Sequence, residues 1–406
     1  MITRVVLCSR VFAVFLFAEI LGLSALAAAQ QFSHVIIIIQ ENRTPDNLFG
    51  ASGLPGADLQ LRTKIGKGVP LSGGPDPGHS YATFKKEAGG AYAGNYYDYV
   101  TSGAEPYWEM AAEYGFANRM FQTNQGPSFP AHLFLVMGTS APSDTSTAFV
   151  SSNAVVGGTG CRAIRGSLVD IINPDGTFST TYPCFSTSSL IDLLAASGLS
   201  WRYYLTLGHT YWNTPGSLKS WYKSPNIVGS PPQILTDIAN GNLANVSWVT
   251  PASAYSDHPG NGYSGGPAWV ASIVNAVGQS AYWENTAILV TWDDWGGFWD
   301  HVPPLANDTG WCTEYCYGFR VPLLVISAQT PPGYVDNSVH DFGSILHFVE
   351  ANFGLGQIGP GGWADSFADD LSGFFPAGLA RRTFVPIKAR KPTRKELADQ
   401  GEPDND

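Results

Sequence analysis

Two aliphatic runs in this 406-residue chain end on oxygen donors. Val35-Ile36-Ile37-Ile38-Ile39-Gln40 gives way to Glu41-Asn42, and Ala287-Ile288-Leu289-Val290-Thr291-Trp292 gives way to Asp293-Asp294. An apolar run without alternation is the pattern of a strand covered on both faces of a parallel sheet. In open α/β sheets ligands gather beyond the carboxyl ends of such strands. The two runs therefore point to an α/β fold and deliver hard oxygen donors to the rim where chemistry takes place.

The remaining patterning alternates strand and helix. Helical spacing is predicted over Pro106–Tyr114, after Pro130, and over Ser189–Ser197, Ala268–Gly278 and Asp341–Asn352. Strands are predicted over Ser200–Leu205, Val246–Thr250 and Val321–Ser327. Such alternation predicts a three-layer α/β/α sandwich around a mostly parallel central sheet. Residues 50–103 are rich in Gly, Pro, Ser and Asp and read as loops. Residues 141–187, rich in Ser, Thr and Gly, read as a loop-rich cap within one domain over 30–380. The basic-then-acidic segment 381–406 reads as a solvated polar tail.

Residues 1–29 carry Arg4, an apolar stretch and the small-residue run Ala25-Leu26-Ala27-Ala28-Ala29, the pattern of a secretory signal peptide; a retained anchor is the alternative. The expected location is secreted or periplasmic. Beyond Cys8 there remain Cys161, Cys184, Cys312 and Cys316, an even number that suits disulfides in an oxidising compartment. The local pairing, Cys161 with Cys184 and Cys312 with Cys316, needs the least rearrangement of the chain; a four-cysteine zinc site is the rival. A net charge of −11 argues against nucleic acid as a partner.

Adjacent carboxylates such as Asp293-Asp294 repel each other unless something positive neutralises them, so a divalent cation fits a strand end that turns into Gly296-Gly297. Strand-end caps are the plainer reading. Glu41-Asn42-Arg43 supplies one charged and one neutral oxygen donor beside a guanidinium. Ser128, in Gly126-Pro127-Ser128-Phe129-Pro130, precedes an apolar helical run and could serve as an N-cap or as a nucleophile favoured by a helix N-terminus and a cation. His79, His258 and His301 each lie next to or close to an Asp in Pro/Gly-rich contexts, where a ring can be oriented to donate to a phosphate or protonate a leaving group.

Gln40-Glu41-Asn42-Arg43, Gly126-Pro127-Ser128, Ser256-Asp257-His258-Pro259, Trp292-Asp293-Asp294-Trp295-Gly296-Gly297 through Asp300-His301-Val302-Pro303-Pro304, and Phe342-Gly343-Ser344 follow one another in an order that resembles a known family. It is the bacterial phosphoesterase family that contains non-haemolytic phospholipases C and an acid phosphatase branch, on the alkaline-phosphatase-like fold. The resemblance implies that Glu41, Asn42, Asp293 and Asp294 hold a metal, and that Ser128 attacks phosphorus and also touches the metal. His79, His258 and His301 would then contact phosphoryl oxygens or protonate the leaving group. One departure stands out: the family commonly has Pro-Asn-Arg where this chain has Pro130-Ala131-His132.

The resulting expectation is a secreted metal-dependent phosphoric ester hydrolase of phospholipase C type, working through a Ser128 phospho-enzyme. The alternatives are an acid phosphatase acting on monoesters and a non-catalytic surface protein that binds phosphate esters. The expected cofactor is a divalent ion, with Ca, Mg, Mn and Fe all compatible with the donors. The expected partner is a small phosphate ester or phospholipid head group, with a transient contact to a membrane surface. The aromatics Trp201, Tyr203, Tyr204, Tyr211, Trp212 and Trp221 could cage a choline ammonium by cation–π attraction or form core.

Overall fold

The computed structural model describes residues 31–153, 158–207, 211–306 and 315–401. At its centre strand β1 (His34–Gln40) lies parallel to Thr286–Trp292 along its whole length, from His34 opposite Thr286 to Gln40 opposite Trp292. Both strands are built of β-branched and aliphatic residues, and all but His34 are fully buried, the composition that suits the middle of a sheet.

In chain order the further strands are β2 (Gly115–Ala117), β3 (Trp201–Tyr204), β4 (Ile227–Val228), β5 (Val246–Val249), β6 (Thr286–Trp292), β7 (Leu323–Ser327) and β8 (Tyr334–Asp336). They form an eight-stranded sheet in the order β4-β3-β5-β1-β6-β7-β2-β8. Only β7 is antiparallel to its neighbours, so the sheet is mostly parallel, in line with the expectation.

Helices cover the sheet on both sides. Along the chain they are α1 (Pro45–Phe49), α2 (Tyr81–Ala88), α3 (Glu105–Glu113), α4 (Ser128–Met137), α5 (Leu190–Ala196), α6 (Gln233–Ala239), α7 (Gly266–Gly278) and α8 (Phe342–Phe353). One group packs α4 with α5 and α8, and the other packs α7 with α3 and α6. Helix α4 is buried at every position, as a sequence apolar but for Ser128 and His132 favours. Helix α8 begins in a reciprocal cap: Asp341 accepts the Ser344 amide N–H at 3.1 Å, and Ser344 Oγ accepts the Asp341 amide N–H at 3.1 Å.

The region expected as a cap holds a small antiparallel sheet of Phe149–Val150, Val169–Ile172 and Phe178–Thr181, and a disulfide joins Cys161 to Cys184. Cys316 is also disulfide-bonded, while Cys312 lies outside the described residues, as do the expected signal residues 1–29. The segment expected as a solvated tail is corrected by the structure. Residues 382–399 run along the body: Phe384 packs edge-on to Trp283 at 4.9 Å, Ile387 is buried, and Asp399 Oδ2 accepts the Ser253 hydroxyl at 2.7 Å. The apolar side chains of Phe384 and Ile387, set among the basic residues and packed on the core, supply the driving force that charge counting overlooked.

Candidate active site

Full-length pairing of β1 with β6 brings the two oxygen-donor pairs together. Beyond the last paired residues, Asp293 N–H donates to Gln40 O at 2.9 Å and Arg43 N–H to Asp294 O at 3.0 Å. Asn42 takes a left-handed backbone (φ 59°), a conformation Asn tolerates better than most residues, and this turns the chain across the end of β6. Gly296 is required opposite it: φ is +62°, and a Cβ there would collide with the Asn42 carbonyl oxygen.

Each carboxylate of the pair has one oxygen fastened to backbone. Asp293 Oδ1 accepts the amides of Asn42 and Asp294 at 3.0 and 2.8 Å, and Asp294 Oδ1 accepts Gly296 N–H at 2.7 Å. The second oxygens turn inward. Asp294 Oδ2 accepts the Ser128 hydroxyl at 3.4 Å, and Asp293 Oδ2 faces His132 Nε2 at 3.6 Å, which is also 3.6 Å from Glu41 Oε1. Burial alone would raise the Asp293 pKa; His132 together with Glu41 and the Asn42 amide outweighs it and holds the group below the ordinary value.

Ser128 is the first residue of α4, with Pro127 in the cap position, so its hydroxyl is not used as a helix cap. It points instead to Asp294. The positive end of α4 adds to a field that suits an anion at this spot.

Two of the three expected histidines converge here. His79 donates Nδ1–H to Pro77 O at 3.0 Å, which fixes its neutral tautomer and leaves Nε2 to accept from the Asn42 side-chain amide at 3.1 Å. His258 likewise donates Nδ1–H to Pro259 O at 2.9 Å, and its ring lies 6.0 Å from that of His79. Trp295 closes this side, edge-on to His79 and donating Nε1–H to Glu87 Oε2 at 2.7 Å.

His301 is placed differently. Its Nδ1 and Nε2 face the carboxylates of Asp46 at 2.8 Å and Asp58 at 3.0 Å. Burial disfavours its charged form, but the hydrogen bond and charge of Asp46 prevail and raise its pKa. Arg320, buried beside it, donates Nε–H to Asp300 Oδ1 at 2.8 Å and a guanidinium N–H to Asp300 Oδ2 at 3.1 Å. The cluster braces the loop that follows the Asp pair.

The Ser256-Asp257-His258 segment is anchored by Gln40, Arg43 and Trp292 from the two strand ends. Gln40 Oε1 accepts Asp257 N–H at 3.1 Å, Trp292 donates Nε1–H to Asp257 Oδ2 at 3.1 Å, and Arg43 donates to Asp257 O at 2.7 and 3.0 Å. Burial pushes Asp257 up to about 6, against the pull of Arg43, Tyr107 and Trp292. Of the aromatics weighed as a choline cage, Trp201, Tyr203, Tyr204 and Trp212 are buried core.

The residues present fit a divalent cation. Glu41, Asp293 and Asp294 are fully buried and carry up to three negative charges, against at most one positive charge on His132. The Arg43 guanidinium is turned away, onto Asp257 O, Leu71 O and Asn47 Oδ1. Asn42 Oδ1 is buried without a hydrogen-bond partner among the described residues. Buried carboxylates gathered this closely are compensated by paired groups or metal.

The chain is similar to several bacterial phospholipases C. Haemolytic phospholipase C of Pseudomonas aeruginosa is 24% identical over 429 residues, covering 85% of this chain and 56% of that protein. Non-haemolytic phospholipase C of the same organism is 26% identical, covering 84% and 57%. Phospholipase C A of Mycobacterium tuberculosis is 24% identical, covering 84% and 76%. The chain thus spans little more than half the length of the two Pseudomonas relatives. Among solved structures, a protein of the alkaline phosphatase superfamily from Vibrio parahaemolyticus aligns with a TM-score of 0.43 at 14% identity, covering 91% of this chain and 75% of that one. The Phosphoesterase family is matched continuously over residues 32–356, and to that family this chain belongs.

Proposed function

We propose that the protein is a metal-dependent phosphoric ester hydrolase of phospholipase C type, in which Ser128 is the nucleophile. The observation that carries this reading is the Ser128 hydroxyl on Asp294 Oδ2 at 3.4 Å, at the start of α4 and beside the Glu41, Asn42 and Asp293 oxygens. Family membership and the phospholipase C relatives support it.

Glu41, Asn42, Asp293, Asp294 and Ser128 are the residues that would hold the divalent ion. When bound, the ion would favour the serine alkoxide and offset charge on the phosphoryl oxygens. Ser128 Oγ passes its proton to Asp294 Oδ2, which accepts its hydroxyl, and attacks phosphorus as the ester P–O bond breaks. The leaving alkoxide takes a proton from His258, whose Nδ1–H is engaged by Pro259 O, so that Nε2 carries the transferred proton. Ser128 then carries the head-group phosphoryl as a phosphodiester; water attacks its phosphorus, His258 recovers a proton from that water, and the Ser128 oxygen leaves and takes its proton back from Asp294. His79 holds the Asn42 amide, and His301 with Asp46 braces the loop. Positioning and charge neutralisation, rather than elaborate bond-making by the protein, are what phosphoryl transfer asks of a site.

A phospholipid diester is the substrate class best supported. The cap sits at the mouth of the site, since Asn153 Oδ1 accepts Phe129 N–H at 2.9 Å and Phe178 packs on Tyr81 at 6.0 Å. It exposes Ile164 (56%), Leu168 (45%) and Phe178 (53%), apolar surface suited to brief contact with a bilayer. No helix among the described residues is long and apolar enough to cross a membrane. The cap disulfide and the character of residues 1–29 support export.

The test compares hydrolysis of p-nitrophenyl phosphorylcholine and p-nitrophenyl phosphate by the wild type and Ser128→Ala. Preference for the diester, lost in the variant, is expected. Preference for the monoester would move the protein to the phosphatase branch, and cleavage of neither across pH and added divalent metals would favour a binding protein.

A further inference from the structure

We propose that His132 is an additional metal ligand, and that its imidazole Nε2 biases the site toward first-row transition ions such as Mn²⁺, Fe²⁺ or Co²⁺ over Ca²⁺ and Mg²⁺. This rests on the metal dependence proposed above and goes beyond it by adding a residue and a class of ion.

Ser128 and His132 are one helical turn apart and therefore share a face, the one turned to the ends of β1 and β6. His132 is fully buried and its Nε2 lies 3.6 Å from both Glu41 Oε1 and Asp293 Oδ2. The three side chains offer one donor atom each, all within 4.8 Å of one another. An imidazolium bridging two carboxylates would close to about 2.7–2.9 Å. Atoms held at about 2.0–2.2 Å from one common ion lie instead roughly 3–3.5 Å apart, close to the observed spacing. The ring is also held in place: its edge-on neighbour Trp212 has a centroid 6.0 Å away, and the His132 carbonyl accepts the Thr214 hydroxyl at 2.8 Å.

The donor set decides the metal class. Carboxylates, an amide oxygen and a hydroxyl alone suit Ca²⁺ or Mg²⁺, whereas an imidazole nitrogen suits ions further along the first transition row. A Gln in place of His132 keeps bulk and polarity but cannot offer that nitrogen.

The experiment is calorimetric titration of chelator-stripped full-length protein with Mn²⁺, Co²⁺, Mg²⁺ and Ca²⁺, in the wild type and His132→Gln, with bound metal counted by mass spectrometry. The wild type should bind one Co²⁺ or Mn²⁺ at least about tenfold more tightly than Mg²⁺ or Ca²⁺. His132→Gln should weaken Co²⁺ and Mn²⁺ by about 10- to 100-fold and Ca²⁺ by less than about threefold. Unchanged Co²⁺ and Mn²⁺ affinity in His132→Gln overturns the inference while leaving metal dependence intact. A wild type that binds none of the four ions removes both. Should His132→Gln not fold, pulsed electron paramagnetic resonance of the Mn²⁺-loaded wild type decides the matter. Nitrogen coupling that survives His79→Asn and His258→Asn is expected, and its absence from the wild type contradicts the assignment.

Discussion

The Asn42 amide N–H donates to Asp293 Oδ1 at 3.0 Å, and this bond joins two strand ends 251 residues apart in sequence. It holds one Asp293 oxygen against backbone while the other faces Glu41 and His132 across the buried cluster. Asp293→Asn would put an amide group where the structure needs an acceptor on one side and a charge on the other. We expect kcat/KM to fall by at least about 10³-fold, or about 4 kcal/mol. Bound metal should fall with it, as measured by steady-state kinetics and metal analysis. Near-normal activity and metal content would contradict the placement of Asp293 at the centre of the site.

Trp292 acts on His258 through Asp257. Its Nε1–H is one of the groups that satisfy the buried Asp257 carboxylate. Trp292→Phe removes that donor and should cost about 1–3 kcal/mol of stability. A positioning role adds a signature that lost stability alone does not: kcat should fall about tenfold with KM and metal affinity little changed, and the acid limb of the pH profile should shift.

Arg320 is fully buried among Asp300, Asp46 and His301. Arg320→Met strands two buried carboxylates without their cation, and we expect a loss of about 3–5 kcal/mol in denaturant unfolding. The double change with Asp300→Asn should recover part of it. No loss in the single variant would show that the cluster does not brace the loop.

Two buried glutamates set the direction of pH-dependent stability. Burial, with the repulsion of Asp365, pushes Glu350 up to about 8, and burial pushes Glu87 up to about 8 against the hydrogen bond from Trp295. Both folded values lie above the ordinary 4.5, so the folded state retains protons that the unfolded state releases. Their contribution is fully present below about pH 4.5 and is lost as pH rises through about 8. Tm should therefore fall by roughly several degrees between pH 5 and 8, and Glu350→Gln should flatten part of the slope. A Tm that rises over this interval and is unaffected by Glu350→Gln would contradict the assignment.

Much of this was legible in sequence for a physical reason. Aliphatic runs report double-sided burial, and the side chains just past two adjacent parallel strands are bound to meet. The partners of His301 were not legible, because Asp46 comes from α1 and Asp58 from the loop beyond it, and their meeting with His301 depends on tertiary packing. His132 was read only as a departure from the family pattern, although its helical spacing from Ser128 was a usable signal. The docking of residues 382–399 is signalled by the apolar Phe384 and Ile387, which the surrounding charge masks.

The most direct test of the account is to look for phosphate on Ser128. Full-length protein would be mixed with excess diester, quenched in acid within the first turnover, digested and analysed by mass spectrometry. A peptide containing Ser128 esterified by the head-group phosphoryl of the diester is expected, in an amount approaching one per active chain if hydrolysis of the intermediate is the slow step, and absent in Ser128→Ala along with all but about one part in 10³ of the activity. Full activity in Ser128→Ala, or phosphate found on a different residue, would contradict it.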